Sequence, residues 1–347
     1  MLSGVLLVAS GCAAEGTQQA PVTLADLGVQ AEFGSEYPRG DTGLAVLQRV
    51  SDGVIIGDSI ALLDVAAPYV RIFDSSGKFV RAIVQHGEGP GEAKTPLSLE
   101  GHGERDLLLT QPKQLSVIDL NGAVRRSVPS PAGVMRGAAG CGERLIILHT
   151  SRDGFSPQGA LTVLDDSVPT TLVMLDTLRG STHGEHPAYF GSTERALAVY
   201  TEETRRPRLL QIDCATSRLQ GVRIDSVGPP EWWEAGPGGQ WALHPSQPPF
   251  PAGVARLAEG IVWATQAVRS ASTGSDSVTV IDLISSDAPR RRLILRGWYE
   301  LLDSDRSGRM LWAMQDDDRG DRALIIEASA LVKALRDYGM AADRKEP

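Results

Sequence analysis

The run Tyr69-Val70-Arg71-Ile72-Phe73-Asp74-Ser75-Ser76-Gly77-Lys78-Phe79-Val80-Arg81-Ala82-Ile83-Val84 reads as two strands joined by a tight turn. Apolar and polar residues alternate on both sides of the turn, as a strand with one buried face requires. Asp74 opens the turn, where its carboxylate can accept backbone N–H bonds two residues on. Gly77 takes the fourth position, where a left-handed backbone costs a glycine little. Upstream, Asp52-Gly53 is a turn signal, and the β-branched run Val54-Ile55-Ile56 after it predicts a preceding strand that ends at Gly57-Asp58.

Working outward, an apolar strand running into an acid recurs six times. The acids are Asp74, Asp119, Asp165, Asp213, Asp282 and Glu327, at steps of 45, 46, 48, 69 and 45 residues. Each has a strand signal upstream: Val54–Ile56, Leu107–Leu109, Leu145–Ile147, Leu197–Val199, Ile261–Trp263 and Met310–Trp312. Only the second copy, Asp119-Leu120-Asn121-Gly122, keeps the full Asp-x-x-Gly turn. A period of this length predicts repeated small antiparallel sheets. The expected fold is all-β, a six-bladed β-propeller with blades of about four antiparallel strands, because ring closure removes the edges an open sheet would expose. The stretch from Ala328 to Tyr338 has helical spacing and fits either a terminal helix or the completion of the last blade.

The chain of 347 residues is 42% apolar and 22% charged, enough to bury a core, and its net charge is −9. An acidic surface argues against nucleic-acid partners, which require concentrated Lys and Arg. The single basic run, Arg290-Arg291-Arg292, reads as a solvated strand edge. Leu2 to Ala9 is apolar but too short to span a bilayer, and it ends in Ala9-Ser10-Gly11-Cys12. That ending resembles the lipobox of bacterial lipoproteins. The resemblance implies a signal peptide over 1–11, lipidation of Cys12, a tether over 12–22 and a lipid anchor in the cell envelope. Ala13 is not Asp, which in that family implies outer-membrane delivery, facing the periplasm or the cell surface. The alternative is an ordinary signal peptide; either reading exports the chain. Residues 23–338 form the expected propeller, with an insertion at 228–253, and 339–347 a polar tail. Cys141 and Cys214 fall in adjacent repeats, and both a disulfide and two separate buried thiols fit that placement.

Tyr69 to Pro96 resembles the NHL-type repeat of six-bladed propellers: strand, Asp-x-x-Gly, strand, then a Gly-rich connection ending near a Pro. Gly89-Pro90-Gly91-Glu92 carries most of that likeness. Such runs occur in exported six-bladed propeller lipoproteins of bacteria.

The long step between Asp213 and Asp282 exposes the insertion, rich in Pro and Gly and carrying Trp232, Trp233, Trp241 and Phe250. These aromatics suit stacking on a peptide, sugar or apolar ligand, or pin the loop to the scaffold. A second candidate is a polar ring after the preceding strands: Asp58, Gln111, His149, Thr201, Thr265 and Gln315. It suits a small polar ligand or ordered water better than a metal centre, since only Asp58 supplies a carboxylate and only His149 an imidazole. No cofactor is therefore expected, although a register shift bringing in Glu202 and Asp316 would bring calcium back into consideration. His183-Gly184-Glu185-His186 reads as a surface cluster short of the ligands zinc needs, and Asp316-Asp317-Asp318 as a solvated turn. No Gly-x-Ser-x-Gly or His-Glu-x-x-His motif occurs. The expectation is a non-enzymatic binding module for a peptide, protein or glycan. The alternatives are a lyase or lactone hydrolase assisted by calcium or zinc at the channel mouth, and an envelope scaffold.

Overall fold

The structure is a computed structural model. It describes residues 22–34, 43–130, 133–142, 144–150, 159–165, 168–175, 190–193, 196–203, 206–214, 216, 218–222, 242–243, 250–271, 274–285, 288–315 and 321–341. Over these residues the chain forms six consecutive antiparallel sheets, with one short parallel pair, Gln85–His86 and Glu92–Ala93, between the first two. Sheet 1 holds Val50–Ile56, Ser59–Asp64, Val70–Asp74 and Phe79–Ile83. Sheet 2 holds Ser98–His102, Asp106–Gln111, Gln114–Asp119 and Val124–Pro129. Sheet 3 runs from Met135–Cys141 to Val168–Leu175, and sheet 4 from Phe190–Thr193 to Arg218–Val222. Sheet 5 is built on Phe250–Leu257, Gly260–Ala271, Gly274–Ile284 and Arg291–Arg296, with two short strands added, Ala242–Leu243 and Met340–Ala341. Sheet 6 contains Tyr299–Ser304, Arg309–Met314 and Arg322–Glu327, and its fourth strand is Val29–Phe33 from the other end of the chain. Five sheets are thus regular and four-stranded, and the fifth in sequence is enlarged.

The first strand of each sheet touches the first strand of the next, and Tyr299–Ser304 touches Val50–Ile56 to return to the start. This arrangement of antiparallel sheets is a β-propeller. Apolar cores lie between neighbouring sheets. Leu63, Ile72, Leu99 and Leu107 pack where sheets 1 and 2 meet. Leu108, Leu115, Met135 and Ile147 fill the next interface, and Phe33, Ile60, Phe73 and Leu311 join sheets 6 and 1.

The acids of the repeat all fall on third strands, so the period marks the same position in every sheet. Asp74 Oδ1 accepts the N–H groups of Ser76 at 2.9 Å and Lys78 at 3.1 Å, and Gly77 takes φ +92°. Asp119 Oδ1 accepts from Asn121 and Ala123, both at 2.9 Å. Glu327 instead precedes a helix, Ala328–Asp337, whose Leu331, Val332 and Leu335 are buried. That settles the open choice for the C-terminal stretch: Val29–Phe33 already fills the edge, so the chain leaves the sheet. Met340–Ala341 then pairs with Arg291–Arg292, so the stretch expected to be a polar tail begins with a strand.

Three expectations need correction. Asp52-Gly53 is not a turn but lies inside the first strand of sheet 1. Gly53 serves close packing there, since a Cβ would come within 2.8 Å of Leu62 and 3.1 Å of Leu302 and Leu311. The turn falls at Gly57-Asp58, with Gly57 at φ +58°. Val54–Ile56 is therefore a first strand, whereas the five segments matched to it are second strands. Nor is Arg292 a solvated edge residue: it is buried and donates from Nε and Nη2 to Asp282 at 2.8 and 3.0 Å, and Arg290 also pairs with Asp282.

Cys141, at the end of the first strand of sheet 3, forms a disulfide with Cys214, just after the third strand of sheet 4. The bond ties adjacent sheets across 73 residues of chain. No described helix is long and apolar enough to cross a membrane.

Candidate functional site

The ring of first strands brings together polar groups that are distant in sequence. Asp303 on sheet 6, Asp52 on sheet 1 and Glu100 on sheet 2 occupy three successive first strands. Two of them follow one pattern. Gly53 N–H donates to Asp52 Oδ1 and Leu99 N–H, on the next sheet, donates to Oδ2, both at 2.8 Å. Ser304 N–H donates to Asp303 Oδ1 at 2.7 Å, and Ile55 N–H on sheet 1 donates to Oδ2 at 2.8 Å. Each Asp follows a register irregularity in its strand, between Val50 and Asp52 and between Leu301 and Asp303. A bulge re-aims a side chain, here across the seam to the neighbouring sheet.

Burial outweighs those hydrogen bonds. The three residues keep some accessible surface, yet enough protein crowds their carboxyl groups to strip most of the hydration that an anion needs. Loss of hydration pushes Asp303 up to about 7, against the pull of the Ile55 and Ser304 N–H groups. It pushes Asp52 up to about 7 as well, with the Asp303 charge adding to the rise. Glu100 is raised well above its ordinary value by burial first, then by repulsion from Asp52 and Asp303.

Glu100 shares one face of its strand with Ser98 and His102, because alternate residues of a strand point the same way. Thr110 stands directly across from Ser98 in the register and so belongs to that face. Ser98 is 7% exposed and Thr110 0%. Neither hydroxyl has a hydrogen-bond partner, and the enclosed His102 Nδ1 has none either. A Cβ added at Gly140 on sheet 3 would meet His102 Nδ1 at 2.8 Å, so the imidazole is packed against that strand. Among the described residues no three of His, Cys, Asp and Glu stand close enough to hold a metal ion.

The sequence-derived ring is more dispersed. Gln111, His149, Thr201 and Thr265 lie on second strands and Gln315 just past one, but Asp58 sits at the opposite end of its sheet, in the turn between first and second strands. Several of these side chains already have partners. Gln111 Oε1 accepts Lys94 N–H at 3.2 Å, His149 Nε2 bonds to Thr162 Oγ1 at 2.8 Å, and Thr265 Oγ1 accepts from Trp263 Nε1 at 2.7 Å. Trp232, Trp233, Trp241, Cys12, the His183–His186 cluster and Asp316–Asp318 lie outside the described residues. Asp52, Glu100 and Asp303 escaped sequence reading. The recoverable signal was an Asp inside a strand next to a small residue, in Asp52-Gly53 and again in Asp303-Ser304.

Comparisons with known proteins speak to the fold. No protein-family model matches the chain, and no curated protein sequence matches it. Among solved structures, a Bacteroides fragilis protein described as exported is similar over 83% of this chain and 93% of its own, at TM-score 0.50 and 9% identity. Regucalcin of Agrobacterium tumefaciens, described as calcium-binding, matches over 81% and 91%, at 0.46 and 13%. The β-propeller domain of the Trilobed protease of Pyrococcus furiosus matches over 86% of both chains, at 0.42 and 11%. Identities this low speak to architecture alone. The class defined by fold and site is a β-propeller with a polar, acid-rich centre.

Proposed function

We propose that the chain is an exported, lipid-anchored, six-bladed propeller with NHL-type repeats that acts as a binding module for a peptide, protein or glycan. The observation carrying this reading is the ring of first strands, where Ser98 and His102 flank Glu100 and, with Thr110 on the adjoining second strand, have polar atoms the fold leaves without hydrogen bonds. Buried polar groups without partners are costly, and a bound ligand or water is the usual reason they persist. Six sheets with first strands in cyclic contact support six blades. The disulfide between sheets 3 and 4 suits an oxidising compartment outside the cytoplasm. The lipobox-like Ala9-Ser10-Gly11-Cys12 supports an anchor at Cys12 in the cell envelope. In this reading the insertion at 228–253 supplies Trp232, Trp233 and Trp241 to recognition, and the polar ring from Gln111 to Gln315 lends secondary contacts.

The test is affinity capture from detergent-solubilised membranes with the wild-type chain and with the triple variant Trp232→Ala, Trp233→Ala, Trp241→Ala. The reading expects a partner enriched by the wild type and lost with the variant. Equal retention by both would remove the insertion from the binding surface. In parallel, Cys12→Ser should move the protein out of the membrane fraction, and persistence there would contradict the anchor.

A further inference from the structure

We propose that the Ser98–Glu100–His102 face of sheet 2, in the electrostatic field of Asp52 and Asp303, is a binding site for the ammonium group of a small organic amine. The inference rests on the binding-module reading and specifies what the centre of the ring takes. Two independent observations meet there. Three carboxyl groups come from three successive first strands, and the charges acting on them are one another's, with Asp305 and Arg309 beside Asp303. Arg309 is already committed to Asp305 and to the Gly57 carbonyl. Separately, two hydroxyls on the Glu100 face are at least nine-tenths buried and have no partner.

The chemistry of this set leans toward accepting. Ionised carboxylates only accept hydrogen bonds, and hydroxyl oxygens and an unprotonated imidazole nitrogen accept as well. An ammonium group carries three donors, no acceptor and a positive charge, which is the complement. Anions would meet repulsion. Neutral polyols would bring no counter-charge for the carboxyl groups as they ionise. A directly ligated metal lacks three suitable side chains in reach among the described residues. Burial holds the carboxyls protonated to near-neutral pH, so an arriving cation would drive them to ionise and release protons. Affinity should then rise with pH up to and somewhat beyond 7.

Isothermal titration of the purified full chain with putrescine tests this. We expect saturable binding, about tenfold tighter at pH 8 than at pH 6. Glu100→Gln keeps the shape of the side chain and should weaken binding at least about tenfold. Ser98→Ala removes a hydroxyl that has no partner in the fold, so it should weaken binding several-fold without lowering the melting temperature. Absence of saturable heat at millimolar putrescine overturns the proposal. Equal affinity of Glu100→Gln and wild type also overturns it, as does calcium chloride raising the melting temperature as much as putrescine at equal concentration. Loss of amine binding with partner capture intact would sink this site alone. Loss of both would sink the module reading.

Discussion

The carboxylates on the outer turns and those on the inner ring are the same chemical group in opposite surroundings. On the outer turns, Asp74 is partly exposed, and Asp119, only 7% exposed, lies near the surface with little protein crowded around its carboxyl group. Each accepts two backbone N–H bonds from its own turn. The Ser76 hydroxyl bond first, with the N–H bonds, holds Asp74 below the ordinary carboxylate range. Asp119 is lowered first by the Ala123 N–H and is further paired with Arg125 at 2.8 Å. On the inner ring, Asp52 and Asp303 likewise accept two N–H bonds each, yet they are raised. The backbone N–H count is the same. Each outer carboxylate has one further donor, the Ser76 hydroxyl or Arg125, and each inner one loses more hydration than its two bonds return, which together set the sign. Outer carboxylates shape the local chain. Inner ones tie neighbouring sheets together and hold a reserve of proton- or cation-binding capacity.

The outer half of this comparison is broken most severely at Gly77. It sits at φ +92°, and a Cβ there would lie 2.4 Å from the backbone oxygen of Glu32 on sheet 6. Gly77→Ala should cost about 3 kcal/mol, from left-handed strain plus a clash with backbone that has no side chain to move aside. Urea unfolding reads this directly, and a cost under about 1 kcal/mol would show that the turn can relax. A smaller effect is expected at Asp119→Ala, which removes the acceptor for Asn121 and Ala123 and a partly exposed ion pair. About 1–2 kcal/mol should be lost, with no change in how stability depends on pH between 5 and 8.

The outer half was legible in the sequence because its physics is local. An acid, two residues and a glycine are enough to specify the turn, and repetition made the third strand of every sheet visible. Asp305-Arg306-Ser307-Gly308 builds the same turn, with Asp305 Oδ1 accepting Arg309 N–H at 2.9 Å and Gly308 at φ +89°. It went unread because it joins first and second strands and so falls outside the period. The inner half depends on contacts between residues 47 and 248 positions apart, Asp52 with Leu99 and Ile55 with Asp303. No local pattern encodes these, and the local pattern at Asp52-Gly53 pointed to a turn instead. The closing strand was hidden for the same reason. Val29–Phe33 pairs with Arg322–Glu327 from the far end of the chain, so the last acid, Glu327, opens onto a helix rather than a hairpin.

The most direct test of the central claim is the unfolding free energy between pH 5 and pH 8, for wild type and for Glu100→Gln. Asp52, Glu100 and Asp303 bind protons more tightly folded than unfolded. The folded chain therefore holds more protons between about pH 4, near the ordinary unfolded value, and about pH 7, and stability must fall as pH rises through that window. The lowered outer-turn carboxylates lose their contribution only as pH drops below about 4, outside the measured range. The account predicts a loss on the order of 2 kcal/mol from pH 5 to pH 8 in wild type, with a clearly shallower slope in Glu100→Gln. A flat or rising profile in wild type, or the same slope in both proteins, would contradict it.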